Sequence, residues 1–223
     1  MLKEKWPIYE KDRIIDVPGK FNKSIIRALY SIHDAPISNF KTGLSNKIKY
    51  ALIMLGYEFG YCGYANITKG KSTNKMIRNI KTYIKAQKAR FKFTDHSFHN
   101  TEWLFDVHWY RDRKNTHFMP EHLYLACESE LQKPRSRKKG QKDFSGLPYQ
   151  AVRYDFQKLL VCNARLRLMI FQVDKESHLY DRKVGLAPYF RKAIRTYKEL
   201  PKGSSFLFIC YIDRKFYYYN IQK

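Results

Sequence analysis

The chain of 223 residues carries 43 Lys and Arg against 20 Asp and Glu, a formal net charge of +23, with 44% hydrophobic and 16% aromatic residues. That apolar content excludes a disordered basic tail and is enough to build the core of one large domain. The cation excess repels itself and calls for a polyanionic partner. Nucleic acid comes before a membrane here, because no apolar run approaches the roughly 20 residues of a membrane-spanning helix and the opening MLKEKWPIYEKDR is too charged for a signal peptide.

The first third reads as helical. FNKSIIRALYSIH and LSNKIKYALIMLGY carry apolar residues three and four apart, with a break supplied by Pro36, Ser38 and Asn39, and a loop with Gly60, Gly63 and Gly70 follows. TNKMIRNIKTYIKAQKARFK predicts an amphipathic helix whose apolar stripe is Met76, Ile77, Ile80, Tyr83 and Ile84, while Lys75, Arg78, Lys81, Lys85 and Lys88 fall on another face. From Lys69 to Lys92 there are nine Lys or Arg and no acid, whereas a merely solvated helix face usually mixes signs. The stripe is therefore expected to contact a nucleic-acid backbone. Gly70-Lys71-Ser72 resembles the end of a phosphate-binding loop, but the first glycine of that pattern would fall at Ala65, so nucleotide hydrolysis is not expected.

From about residue 100 the period changes to two. EWLFDVHWY and HLYLACESE predict antiparallel strands joined through RDRKNTHFMPE. QKPRSRKKGQKDFSGLP is a polar loop in which Arg135, Arg137, Lys138 and Lys139 would add to the nucleic-acid contacts. A helix over YQAVRYDFQKLLVCNA, a strand RLRLMIFQV, a helix near APYFRKAIRTYKEL and strands SSFLFICYI and KFYYYNI complete the series. The expected architecture is one α/β domain: residues 1–95 mainly helical and basic, residues 96–223 a mixed central sheet flanked by helices, with the order α, β, β, α, β in its core. Cys62, Cys127, Cys162 and Cys210 stand far apart with no CxxC pair, so they read as buried thiols of a cytoplasmic protein and not as zinc ligands or disulfides.

Alternation assigns sides. Tyr124, Ala126, Glu128 and Glu130 share one face of their strand, with the two acids about 7 Å apart at Cα; Glu102, Leu104, Asp106 and His108 share a face of the other. If those faces align, three carboxylates converge and raise one another's pKa unless a cation sits among them. Mg²⁺ or Mn²⁺ takes such oxygen donors together with waters and phosphate oxygens. The bland alternatives are a strand end emerging into solvent for Glu128 and Glu130, and an ion pair with Lys or Arg for Asp106, which interrupts an apolar segment where an unpaired charge would be costly. His108 on the same face reads more simply as a hydrogen-bonded structural histidine than as a ligand, and His96 and His99 have no zinc spacing.

Asp106 on one strand, Glu128-Ser-Glu130 at the end of the next, a helix with DFQKLL and a further strand RLRLMIFQV resemble the PD-(D/E)xK restriction-endonuclease-like nuclease superfamily over roughly residues 100 to 175. The resemblance implies a restriction-endonuclease-like core, with the metal-binding Asp at Asp106 and the first acid of the (D/E)xK element at Glu128. Glu130 stands where Lys is usual. Some members resemble this chain in having an acid there, and others supply the Lys from the following helix, where Lys158 is the candidate one turn from Asp155; the alternative for Lys158 is a plain salt bridge to that residue. The implied activity is Mg²⁺-dependent (or Mn²⁺-dependent) phosphodiester hydrolysis, on DNA before RNA. Asp106, Glu128 and Glu130 would then bind metal, Glu102 would be an additional acid, and Lys158 would complete the catalytic set. Cutting both strands of a duplex would call for a homodimer. The alternative function is a nucleic-acid-binding protein of the same fold without catalysis, and a third is a component of a larger nucleic-acid-processing assembly.

Overall fold

The computed structural model of the chain describes residues 6, 19–33, 40–68, 70–94, 97–101, 104–111, 122–131, 148–212 and 215–223. The protein is α/β, and its seven strands take the order β2-β1-β3-β4-β5-β6-β7 in a mixed sheet: β1 Cys62–Ala65, β2 Phe98–His99, β3 Val107–Arg111, β4 His122–Glu130, β5 Leu166–Gln172, β6 Ser205–Ile212 and β7 Lys215–Gln222. Among the described residues six helices accompany them: α1 Lys20–His33, α2 Phe40–Glu58, α3 Lys71–Phe91, α4 Gln150–Val161, α5 Glu176–Tyr180 and α6 Leu186–Thr196. The chain forms two compact units, one of Val17–Cys127 with Ala164–Leu166 and one of Met1–Asp16, Glu128–Asn163 and Arg167–Lys223. They are called the amino-terminal and carboxy-terminal units below, and β4 runs from the first into the second.

In the amino-terminal unit α1 buries Ile25, Ile26 and Leu29, and α2 buries Ile48, Leu52 and Ile53, the three-and-four spacing that the sequence carries. A short strand, β1, occupies part of the segment read from its glycines as a loop. Gly63 is there because a Cβ would come within 2.6 Å of Ile53 Cδ1, so the strand and α2 approach too closely for a side chain. Gly56 serves the same end for β3, since a Cβ on it would lie 2.7 Å from Trp109 Nε1. β1 pairs antiparallel with β3 and parallel with β2.

β3 begins at Val107, five residues later than EWLFDVHWY suggests, because residues 104–106 form a bend that exposes Leu104 while burying Phe105. β3 and β4 pair antiparallel with Val107 opposite Cys127, His108 opposite Ala126 and Trp109 opposite Leu125, and then a bulge leaves Tyr124 as the extra residue before Tyr110 meets Leu123. Cross-strand partners share a face, so His108 lies on the side of Ala126, the side to which Glu128 returns two residues further along β4. Of the four thiols, Cys127 and Cys210 are buried and Cys62 and Cys162 partly exposed, none in a disulfide.

The core of the carboxy-terminal unit is aromatic. Phe190 stacks on Phe208 with centroids 4.7 Å apart and meets Phe156 at 4.6 Å, and Trp6 stacks on Tyr219 at 5.5 Å. Within this core lies the fully buried Arg167 of β5. Its Nε donates to Leu159 O at 2.9 Å and its Nη2 to Cys162 O at 2.6 Å, and the guanidinium lies over the Phe206 ring. Those carbonyls end α4, where helical acceptors lack intrahelical partners and a cation is favoured by the helix dipole. Desolvation pushes the Arg167 pKa down, and the Cys162 contact opposes it. Arg167→Leu should lower the unfolding free energy by about 2 to 4 kcal/mol, because it removes both guanidinium hydrogen bonds at the end of α4. Urea denaturation would measure this, and a loss under about 0.5 kcal/mol would show that the cap is not a stabilising element.

Candidate functional site

The sequence-predicted acids fall in two places, each already holding a cation. In the amino-terminal unit Asp106, in the bend before β3, pairs with Lys49 Nζ of α2 at 2.8 Å, and both side chains are largely buried. Lys49 belongs to the stripe Lys49, Ile53, Gly56 that faces the interior, so its ammonium needs an anion and Asp106 supplies one. In the carboxy-terminal unit Glu128, whose side chain is only 4% exposed, pairs with Lys158 of α4, and the same ammonium lies 2.9 Å from Asp155 Oδ1, one helical turn away. Glu130 is half-buried near the end of β4.

Among the described residues no group of three or more His, Cys, Asp or Glu is gathered as a metal site. Glu102 and the loop residues Arg135, Arg137, Lys138 and Lys139 lie outside the described residues.

The charge balance at Lys158 runs in two directions. Partial burial by itself disfavours the ammonium, but the hydrogen bonds and charges of Glu128 and Asp155 outweigh it and hold the Lys158 pKa above its usual 10.5. The group stays cationic at neutral pH, so it acts as a counter-ion and a hydrogen-bond donor and not as a base.

His108 is fully buried in a column of rings. Tyr64 stacks on it at 4.6 Å with 17° between planes, and on its other neighbour His99 at 4.4 Å with 15°. Burial, helped by the proximity of His99, pushes the His108 pKa down to about 4, so the ring is neutral at physiological pH.

On α3 the apolar and basic sides separate as the sequence suggests: Ile80 and Ile84 are buried, and Lys75, Arg78, Lys81, Lys85 and Lys88 are all exposed. Two further exposed cations lie over tyrosines that stack on each other at 4.5 Å, Arg111 over Tyr61 and Arg165 over Tyr124. Sequence reasoning missed Lys49, whose signal was a cation inside an apolar helix stripe, and these two arginines, one at the end of β3 and one just before β5, whose positions gave none.

Protein-family models, curated proteins and solved structures give no match to this chain. No helix among the described residues is long and apolar enough to cross a membrane.

Lys158→Met should leave Glu128 buried without this ammonium and cost about 1 to 3 kcal/mol, less than for a fully buried pair because Lys158 is one-third exposed. Because the folded pKa is raised, the contribution is complete below the unfolded value of 10.5 and disappears as pH rises through the folded one. The gap between wild type and variant, followed by urea denaturation against pH, should hold steady through neutrality and close in strong alkali; a gap that already closes near neutrality would refute the bridge. His108 has the opposite sign. Its depressed pKa gives stability that is whole above about 6.5 and falls by up to about 3 kcal/mol as pH drops towards 4. His108→Phe should lose that acid slope in thermal melts, and an unchanged slope would assign it to other groups.

Proposed function

We propose that the protein is a metal-dependent nuclease hydrolysing phosphodiester bonds, with DNA favoured over RNA as substrate, on a restriction-endonuclease-like core. The observation that carries the reading is Lys158 of α4 seated on the Glu128 carboxylate. In this reading the helix supplies the lysine that the strand lacks, since Glu130 occupies its usual place. The run β3, β4, α4, β5, with β3 and β4 antiparallel, supports the fold reading.

The donor set suits a hard divalent ion: Asp106 and Glu128, with Glu130 assisting, offer carboxylate oxygens of the kind that Mg²⁺ or Mn²⁺ takes. When bound, the metal would polarise the phosphate and acidify a water. The chain's own part is electrostatic. Lys158, permanently charged, orients the attacking water or neutralises charge developing on the phosphate, and Lys49 holds Asp106 in place. The exposed face of Lys75, Arg78, Lys81, Lys85 and Lys88 draws in and holds the polyanion.

A second reading rests on a specific feature: both acids already carry a lysine, Asp106 with Lys49 and Glu128 with Lys158, and this neutralisation needs no metal. The protein would then bind nucleic acid without cleaving it. The deciding experiment incubates purified protein with linear, circular and single-stranded DNA and with RNA, in Mg²⁺, Mn²⁺ or EDTA. The nuclease reading expects metal-dependent cleavage that falls by roughly a hundredfold or more in Asp106→Ala/Glu128→Ala. Salt-sensitive binding that ignores EDTA, with every substrate left intact, would establish the binder instead.

A further inference from the structure

We propose that the groove between α3 and β2 receives a single unpaired nucleotide, so that the protein engages nucleic acid at single-stranded or frayed positions. This rests on the nucleic-acid reading above and adds a substrate class to it. The groove encloses about 520 Å³ and is lined by Asn74, Ile77 and Lys81 of α3, by Phe98 and His99 of β2, and by Asn100 and Thr101. All of these belong to the amino-terminal unit.

Its chemistry is that of a nucleotide. Ile77 and Phe98 give an apolar floor, His99 an aromatic wall, Asn74 and Thr101 polar groups, and Lys81 an exposed ammonium. Lys81 is also a member of the cationic face that runs through Arg78, Lys85 and Lys88, so a backbone tracked along α3 passes the mouth of the groove. The walls are fixed before anything binds. His99 is held by its stack on Tyr64, which stacks in turn on buried His108. Asn100 is tied on both sides of its amide to one residue, accepting from Ile67 N at 2.8 Å and donating to Ile67 O at 3.1 Å. Preorganised walls reduce the entropy lost on binding.

Size selects the occupant. A space of this volume falls within the range that encloses a small molecule, which one base with its sugar fills, whereas a duplex keeps its bases stacked inside and can lay only its phosphates against α3. An unpaired base can turn into the groove, rest on Phe98 and His99, and leave its phosphate at Lys81.

The test measures fluorescence anisotropy of a labelled oligothymidine and of a blunt hairpin duplex, both in EDTA so that no cleavage intervenes. Oligothymidine should bind at least about tenfold more tightly than the duplex, the value of one stacked base. Lys81→Ala should weaken oligothymidine binding and lower its salt slope by about 0.7, one phosphate contact. Thr101→Trp, at an exposed position, fills the groove and should collapse the preference for the single strand by about tenfold. Thermal melts verify that both variants fold. Equal affinity for the two ligands, or a preference in Thr101→Trp within about twofold of wild type, overturns the groove while the nucleic-acid reading stands. Failure to bind any nucleic acid overturns both.

Discussion

One ammonium between two carboxylates governs the carboxy-terminal unit. Glu128 lies almost wholly out of water, where a bare carboxylate would be expensive, and Lys158 makes its charge tolerable while Asp155 keeps Lys158 in position. That arrangement requires α4 to hold a fixed rotation and reach relative to the end of β4. Arg167 supports it by closing the carbonyl end of the same helix, which is why a strand otherwise made of Leu, Met, Ile and Phe up to its closing Gln172 admits a fully buried guanidinium. Each cation is matched by oxygen atoms: Lys158 by the Glu128 and Asp155 carboxylates, and Arg167 by the Leu159 and Cys162 carbonyls.

Among the described residues lysines act in two ways. Lys49 pairs with Asp106, and Lys158 with Glu128 and Asp155, where partial burial makes the pairing specific. Those on α3 stay in water and act together as a field, which gives range and rate in place of orientation. A catalytic or binding centre for a polyanion uses both kinds of charge. The tyrosine pair beneath Arg111 and Arg165 adds a third, intermediate kind, in which an exposed guanidinium is aligned by a flat ring.

Much of this was legible in the order of residues because burial writes a period into the chain. HLYLACESE spans β4 from its first residue to its last, and the helices with three-and-four stripes lie where those stripes occur. The misses have local causes. Gly63 looks like a loop residue until Ile53 is seen to occupy the space its side chain would need, and the alternation of EWLFDVHWY conceals a bend because Phe105 and Leu104 take opposite environments without being paired. Lys158 is tied to Glu128 only through the resemblance to the nuclease superfamily, while helical spacing by itself points to its pairing with Asp155. Lys49 could not be matched at all, since its partner lies 57 positions along the chain and nothing in the sequence links them.

The bulge at Tyr124 divides β4 into two registers. It lies between the His122 end of β4, where the connection from β3 arrives, and the stretch from Leu125 to Glu130 whose facing decides where Glu128 points. A strand with unbroken pairing would transmit any slip in that connection to the acid and turn it to the wrong side. With Tyr124 as the extra residue, pairing on the His122 side is one position out of step, and the facing of Glu128 follows from the Leu125, Ala126 and Cys127 pairs alone.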